Sequence, residues 1–102
     1  MIPGGKMNKQ LQDMQKRLAK VEEDLKERVV EAAAGGGMVT VKVNGAEEIV
    51  VVKIEEQVLA AGDKGMLEDL VMAAVNEGIR KAKKLRETEM TKVTGLSMPG
   101  LF

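Results

Sequence analysis

The sequence predicts an α+β fold: a long N-terminal helix, a three-stranded antiparallel meander and a long C-terminal helix that can kink or split near its middle, assembled as a symmetric dimer. Three observations predict it. Met7, Leu11, Met14, Leu18, Val21 and Leu25 recur at alternating spacings of four and three, a heptad seam along one helix. Between residues 29 and 54, runs rich in valine are separated by Gly35-Gly36-Gly37 and by Asn44-Gly45, the punctuation of strands and hairpins. From Leu67 to Leu85, apolar residues return at helical spacing.

Residues 1–5 contain Pro3, Gly4 and Gly5 and form a loose lead-in. A helix over 6–28 then rises about 1.5 Å per residue and is roughly 35 Å long. Its apolar seam either packs on the rest of the domain or joins an interchain coiled coil, and the spacing leaves both open. In either case the opposite face is free.

The segment VVEAAAGGG (29–37) reads as a strand ending in a glycine turn. Val39, Val41 and Val43 alternate with Met38, Thr40 and Lys42, as in a half-buried strand. Asn44-Gly45 suits a type I′ turn, so EEIVVVKI (47–54) returns antiparallel with Val50, Val52 and Ile54 on one face. The three glycines do not make a phosphate loop, because that motif needs GxxxxGK[ST] before a helix and here a strand follows.

Residues 55–65 form a turn or a single helical turn, and Asp63 is placed to cap the helix after it. Leu67, Leu70, Val71, Ala74, Val75, Gly78, Ile79, Ala82 and Leu85 line one side of that helix, which runs to Thr94 before Gly95 stops it. A bend at Asn76 or Gly78 would cost little. Residues 95–102 are a short tail, and the whole of 1–102 is one domain.

Composition narrows the chemistry. The hydrophobic fraction is 44% and the sole aromatic residue is Phe102, so the core is aliphatic. A domain of this size buries a modest core alone, and a second copy would cover more. Cysteine and histidine are both absent, which removes thiolate nucleophiles, imidazole bases and the usual zinc ligands. The pairs Glu47-Glu48 and Glu68-Asp69 sit at a turn and in the first turn of a helix, where acids favour the helix dipole. No nucleophile accompanies them, so the expectation is neither an enzyme nor a metal or cofactor protein. Without a long apolar run or a signal peptide, the expected location is the cytoplasm.

Sixteen basic and sixteen acidic residues cancel, so an anion-binding surface must come from segregation of charge. Such segregation is present. Residues 6–20 hold Lys6, Lys9, Lys16, Arg17 and Lys20 against Asp13 alone, whereas Glu22, Glu23, Asp24, Glu27 and Glu31 dominate 22–31. In the last helix Arg80, Lys81, Lys83, Lys84 and Arg86 follow one another with no acid among them. Lys9, Lys16 and Lys20 lie off the apolar seam, and Arg80, Lys83 and Lys84 cluster at i, i+3 and i+4.

Rows of cations on helices suit the regular phosphates of duplex DNA, although a charge run is more often a solvated helix face. The sequence has no aromatic platform for unpaired bases and no Cys/His finger or helix-turn-helix pair. Contacts to phosphate and sugar are therefore expected, with sensitivity to DNA shape rather than base identity.

Together, MNKQLQDMQKRL, GGGMVTVKVNGAEEIVVVKI, MLEDLVMAAVN and the late PGL resemble the YbaB/EbfC family over nearly the whole chain. The most typical pieces are the Met/Gln-rich first helix, the strand and turn carrying Gly37, Val39, Val41, Asn44 and Gly45, and MLEDLV from Met66 to Val71. The resemblance implies a bacterial, nucleoid-associated homodimer whose helices project from a central β body like arms and bind double-stranded DNA. Its basic pattern matches Arg17, Lys20, Arg80 and Lys81, whereas Lys83, Lys84 and Arg86 fall where the family has no consistent basic residue. The chain departs from the family at Glu55-Glu56, where Asp-Pro is frequent, and at Gly65, where Glu is usual before MLEDLV. Both departures concern the connector.

The expected function is DNA binding of low sequence specificity that organises or protects the nucleoid and influences gene expression, with no membrane or small-molecule partner. The rival classes are a coiled-coil adaptor whose Met-rich stripe grips proteins and an RNA-binding module.

Overall fold

A computed structural model describes the backbone of residues 4–95, with side chains from Asn8 onward; the tail LSMPGLF and the first three residues lie outside the described residues. The elements are α1 (Gly4–Glu27), β1 (Val29–Ala34), β2 (Val39–Asn44), β3 (Ile49–Ile54), α2 (Glu56–Ala60) and α3 (Lys64–Thr94). This is the expected order. The first helix starts inside the expected lead-in, at Gly4, and the connector carries the one short helix allowed for it.

The sheet is antiparallel in the order β1-β2-β3, and α3 packs across β1 and β2. Val39, Val41 and Val43 of the central strand are fully buried, and Ala74, Gly78 and Ala82 are the buried residues of α3. Small residues on the helix answer branched ones on the strand, which lets the helix backbone lie close to the sheet. Gly78 marks the closest approach: a Cβ there would stand 2.7 Å from Val43 Cγ2 and 3.0 Å from Val41 Cγ2. It is no bend, since α3 is one helix from Lys64 to Thr94.

Asp63 caps α3 by accepting from the Met66 N–H at 3.0 Å, and Gly95 ends it in the left-handed region with φ 71°. With 31 residues the helix is about 46 Å long, while a six-residue strand spans about 20 Å. The helix must overhang the sheet. α1 runs back along this overhang and ends against the turn after β2, where the Gly45 N–H donates to the carbonyls of Leu25 and Arg28 at 2.8 and 2.9 Å. The body is accordingly long, with extents of 74 × 25 × 16 Å and a radius of gyration of 19.4 Å.

Two turns connect the strands. Gly35, Gly36 and Gly37 all have positive φ, a run that only glycine adopts readily. The second turn corrects the two-residue type I′ expectation. It extends from Asn44 to Glu48, and its positive φ belongs to Glu47 at 64°. The Asn44 side-chain oxygen accepts from the N–H groups of Ala46 and Glu48 at 3.0 and 2.9 Å, an Asx turn that replaces the hairpin's backbone geometry. Gly45 is required by space, because a Cβ there would meet the Leu25 carbonyl oxygen at 2.6 Å.

The longer turn feeds a bulge. Lys42 pairs with Val51 but Val43 pairs with Ile49, so Val50 is an extra residue in β3. Val52 and Ile54 stand opposite Val41 and Val39 and share the helix-side face as expected, whereas the bulge takes Val50, expected on that face too, out of the pairing. Only Ile54, at the end of the strand, packs against the core; Ile49, Val50, Val51 and Val52 are each more than 40% exposed, because α3 covers the other two strands and stops short of this one. Met72 of α3 is also exposed, at 59%. An uncovered apolar edge strand is a surface that natural proteins ordinarily cover or pair.

Candidate nucleic-acid interface

The apolar seam of α1 divides the helix in two. Leu25 is buried and Leu18 and Val21 are half-buried against the chain, but Met14 is 40% and Leu11 57% exposed. The inner half thus packs on its own chain, beside α3, whereas the outer half extends away as an arm.

Lys9, Lys16 and Arg17 lie on this outer part and Lys20 on the open side of the packed half, all exposed and none in an ion pair among the described residues. Lys9, Lys16 and Lys20 point away from the Leu11–Leu18 seam, as 3.6-residue periodicity requires. In α3, Lys83 and Lys84 are also exposed and, among the described residues, without an ion pair. The sheet-facing side of that helix is fixed by Ala74, Gly78 and Ala82, and Arg80, Lys83 and Lys84 occupy the opposite side.

The other three expected residues are already engaged. Arg80 donates to Glu77 one turn earlier, from Nη2 at 2.6 Å and Nε at 3.1 Å. Lys81 reaches the edge of the sheet, where its Nζ donates to the Glu31 carbonyl at 2.9 Å. Arg86 pairs with Glu22 of α1. A second tie between the helices joins Arg28, just after α1, to Glu89 of α3 at 2.8 Å, and Lys92 also reaches Glu89 at 3.2 Å. Sequence reasoning missed Glu22, Arg28 and Glu89 in this role. Their partners lie 64 and 61 positions away, far beyond any periodic signal.

These interactions shift two carboxyls. Hydrogen bonding from Arg80, and then its charge, hold the Glu77 pKa below the ordinary glutamate value; hydrogen bonds from Arg28 and Lys92 do the same for Glu89. A depressed folded-state pKa means that the Glu89 tie is complete above the unfolded pKa and is lost as pH falls through the folded one. Arg28→Ala is expected to raise the Glu89 titration midpoint, read by carboxyl carbon NMR; an unmoved midpoint would place the cause elsewhere.

The arrangement is that of an α–βββ–α body bearing a projecting helix, with cations carried on open helical surfaces. The profile of the YbaB/EbfC DNA-binding family matches residues 3–97, and the chain belongs to that family. It is 50% identical over 97 residues to a nucleoid-associated protein of Alkaliphilus metalliredigens, covering 94% of this chain and 85% of the relative. A nucleoid-associated protein of Thermoanaerobacter pseudethanolicus is 47% identical over 106 residues, covering 99% and 96%. Among solved structures, an uncharacterized protein from Helicobacter pylori superposes with a TM-score of 0.83 at 27% identity, covering 93% of this chain and all of that one. No helix among the described residues is long and apolar enough to cross a membrane.

Proposed function

We propose that this chain is a homodimeric nucleoid-associated protein that grips double-stranded DNA through phosphate contacts of low sequence specificity, and that it does so without catalysing a reaction. One observation carries the reading. In a chain of zero net charge, six exposed cations on α1 and the outward side of α3 stand free of ion pairs among the described residues. Lys9, Lys16, Arg17, Lys20, Lys83 and Lys84 are the principal contacts. Arg80, Lys81 and Arg86 join them to the extent that phosphate displaces their present partners. Phosphate contacts position a protein without reading bases, so the protein coats or reshapes cytoplasmic DNA in the nucleoid and influences gene expression through that architecture.

Binding to several unrelated duplexes across a salt series tests this. Similar affinities and a steep fall of log affinity with log salt are expected, while indifference to salt or strong preference for one duplex would reject it. RNA duplexes in competition separate the two nucleic acids.

The dimer is supported by the exposed strip of β3, apolar surface that a second copy would cover. Sedimentation should show a 22 kDa species, twice the 11.0 kDa chain, at micromolar concentration. Val52→Asp is expected to shift it to the monomer, since an unpaired carboxylate in a covered apolar surface is strongly unfavourable. A stable wild-type monomer would remove this part of the reading.

The exposure of Leu11 and Met14 at the arm favours, as a second reading, a protein partner there. In that case Leu11→Asp would abolish function while leaving DNA affinity untouched.

A further inference from the structure

α1 meets the overhang of α3 along a narrow apolar seam, of which Leu25 is buried and Val21 and Leu18 are half-buried. A seam one residue wide holds two helices together but resists rolling and sliding only weakly. The two interhelix ion pairs supply what the seam lacks. Their polarity is reciprocal: in one the acid is on the first helix and the base on the second, Glu22 with Arg86, and in the other the base follows α1 and the acid is on α3, Arg28 with Glu89.

The consequence falls on the arm. Lys9 lies thirteen residues before Glu22, about 20 Å along the helix axis. A tilt of roughly 10° at the clasp moves it by about 3.5 Å, more than the length of a charge-assisted hydrogen bond.

We propose that Glu22 and Glu89 are positioning residues of the DNA-binding surface, acting through Arg86 and Arg28 to set the angle between the basic rows of α1 and α3. This rests on the DNA-binding reading above and adds to it a role for acids. The predicted sign is its distinguishing mark. Removing an acid from a DNA-binding protein ordinarily strengthens binding by lowering repulsion, whereas removing these two weakens it.

The test uses the full chain and a fluorescently labelled duplex of mixed sequence. Glu22→Gln with Glu89→Gln is expected to lower affinity about three- to fivefold, the scale of partly exposed ion pairs, although each chain gains two units of positive charge. Helicity and melting midpoint stay near those of the parent. The plot of log affinity against log salt keeps its slope, because the same phosphates are engaged less favourably. The swap Glu22→Arg with Arg86→Glu restores affinity relative to Glu22→Arg alone. Glu77→Gln is the contrasting variant. It frees Arg80 within a single helix without touching the clasp, and it is expected to raise affinity.

If the Glu22/Glu89 variant instead binds more tightly with a steeper salt slope, then Arg28 and Arg86 are ordinary phosphate ligands held in reserve and the positioning role is overturned. Failure of the swap to rescue overturns it as well. If the parent protein itself fails to bind duplex at low salt, the DNA-binding reading falls first and the positioning role with it.

Discussion

Alanine at Lys16, Lys20, Lys83 and Lys84 is expected to lower affinity for duplex DNA on the order of a thousandfold near 0.1 M salt, and to do so alike for unrelated sequences. Each of these lysines is exposed and holds no ion pair among the described residues, so a phosphate reaches it without first displacing a carboxylate. Without one lysine, one phosphate keeps its condensed counterion, and the plot of log affinity against log salt flattens by roughly 0.9. Four such substitutions change the slope by about 3.6, and by twice that where both copies of a dimer engage the duplex. Circular dichroism should be unchanged, since exposed lysines away from packing features contribute little to stability. An intact fold with full affinity and an unaltered slope would mean that the basic rows do not hold DNA, and the protein-partner reading would replace this one.

Gly78→Leu is expected to be the most disruptive single change to the fold. Even a Cβ at this position meets two buried, stiff valines of β2, at 2.7 and 3.0 Å, and neither is the far end of a flexible chain. Overpacking on this scale costs about 3 kcal/mol, against a gain of less than about 1 kcal/mol from better helix propensity. For a domain near 100 residues the melting midpoint should fall by roughly 10–20 °C. Asn76→Leu, on the exposed side of the same helix, separates the two effects and should leave the midpoint within a few degrees of the parent. A higher midpoint for Gly78→Leu would show that the helix stands off the sheet there.

The order of elements was legible because each rests on a local periodicity: the heptads of α1, the alternation of Val39, Val41 and Val43, and the stripe from Leu67 to Ala82. Both caps of α3 were legible for the same reason, since Asp63 and Gly95 act within a turn of themselves. The Asn44-Gly45 turn departs from its sequence pattern because a dipeptide can serve two unrelated needs. Asn44 supplies side-chain acceptors to the loop, and Gly45 supplies the absence of a side chain beneath Leu25; neither asks for the positive φ that their pairing suggests. The exposure of β3 was hidden because a run of valines looks alike whether its cover comes from its own chain or from elsewhere.

For the candidate interface, sequence located the cations and could not say which were free. Lys81 turning back to the Glu31 carbonyl and Arg86 closing on Glu22 depend on where α3 crosses β1 and α1, which no spacing encodes. The basic rows were visible in one dimension and their neutralising partners only in three.

The length of the molecule bears on how its assembly must be weighed. A compact chain of about 100 residues has a radius of gyration near 13 Å, whereas this one has 19.4 Å, a value that compact proteins reach at roughly 300 residues. Friction follows dimension rather than mass, so a single copy would leave a size-exclusion column well ahead of globular standards of its own weight. Elution volume therefore overstates the number of subunits, and the copy number has to come from light scattering or sedimentation equilibrium, which register mass without regard to shape.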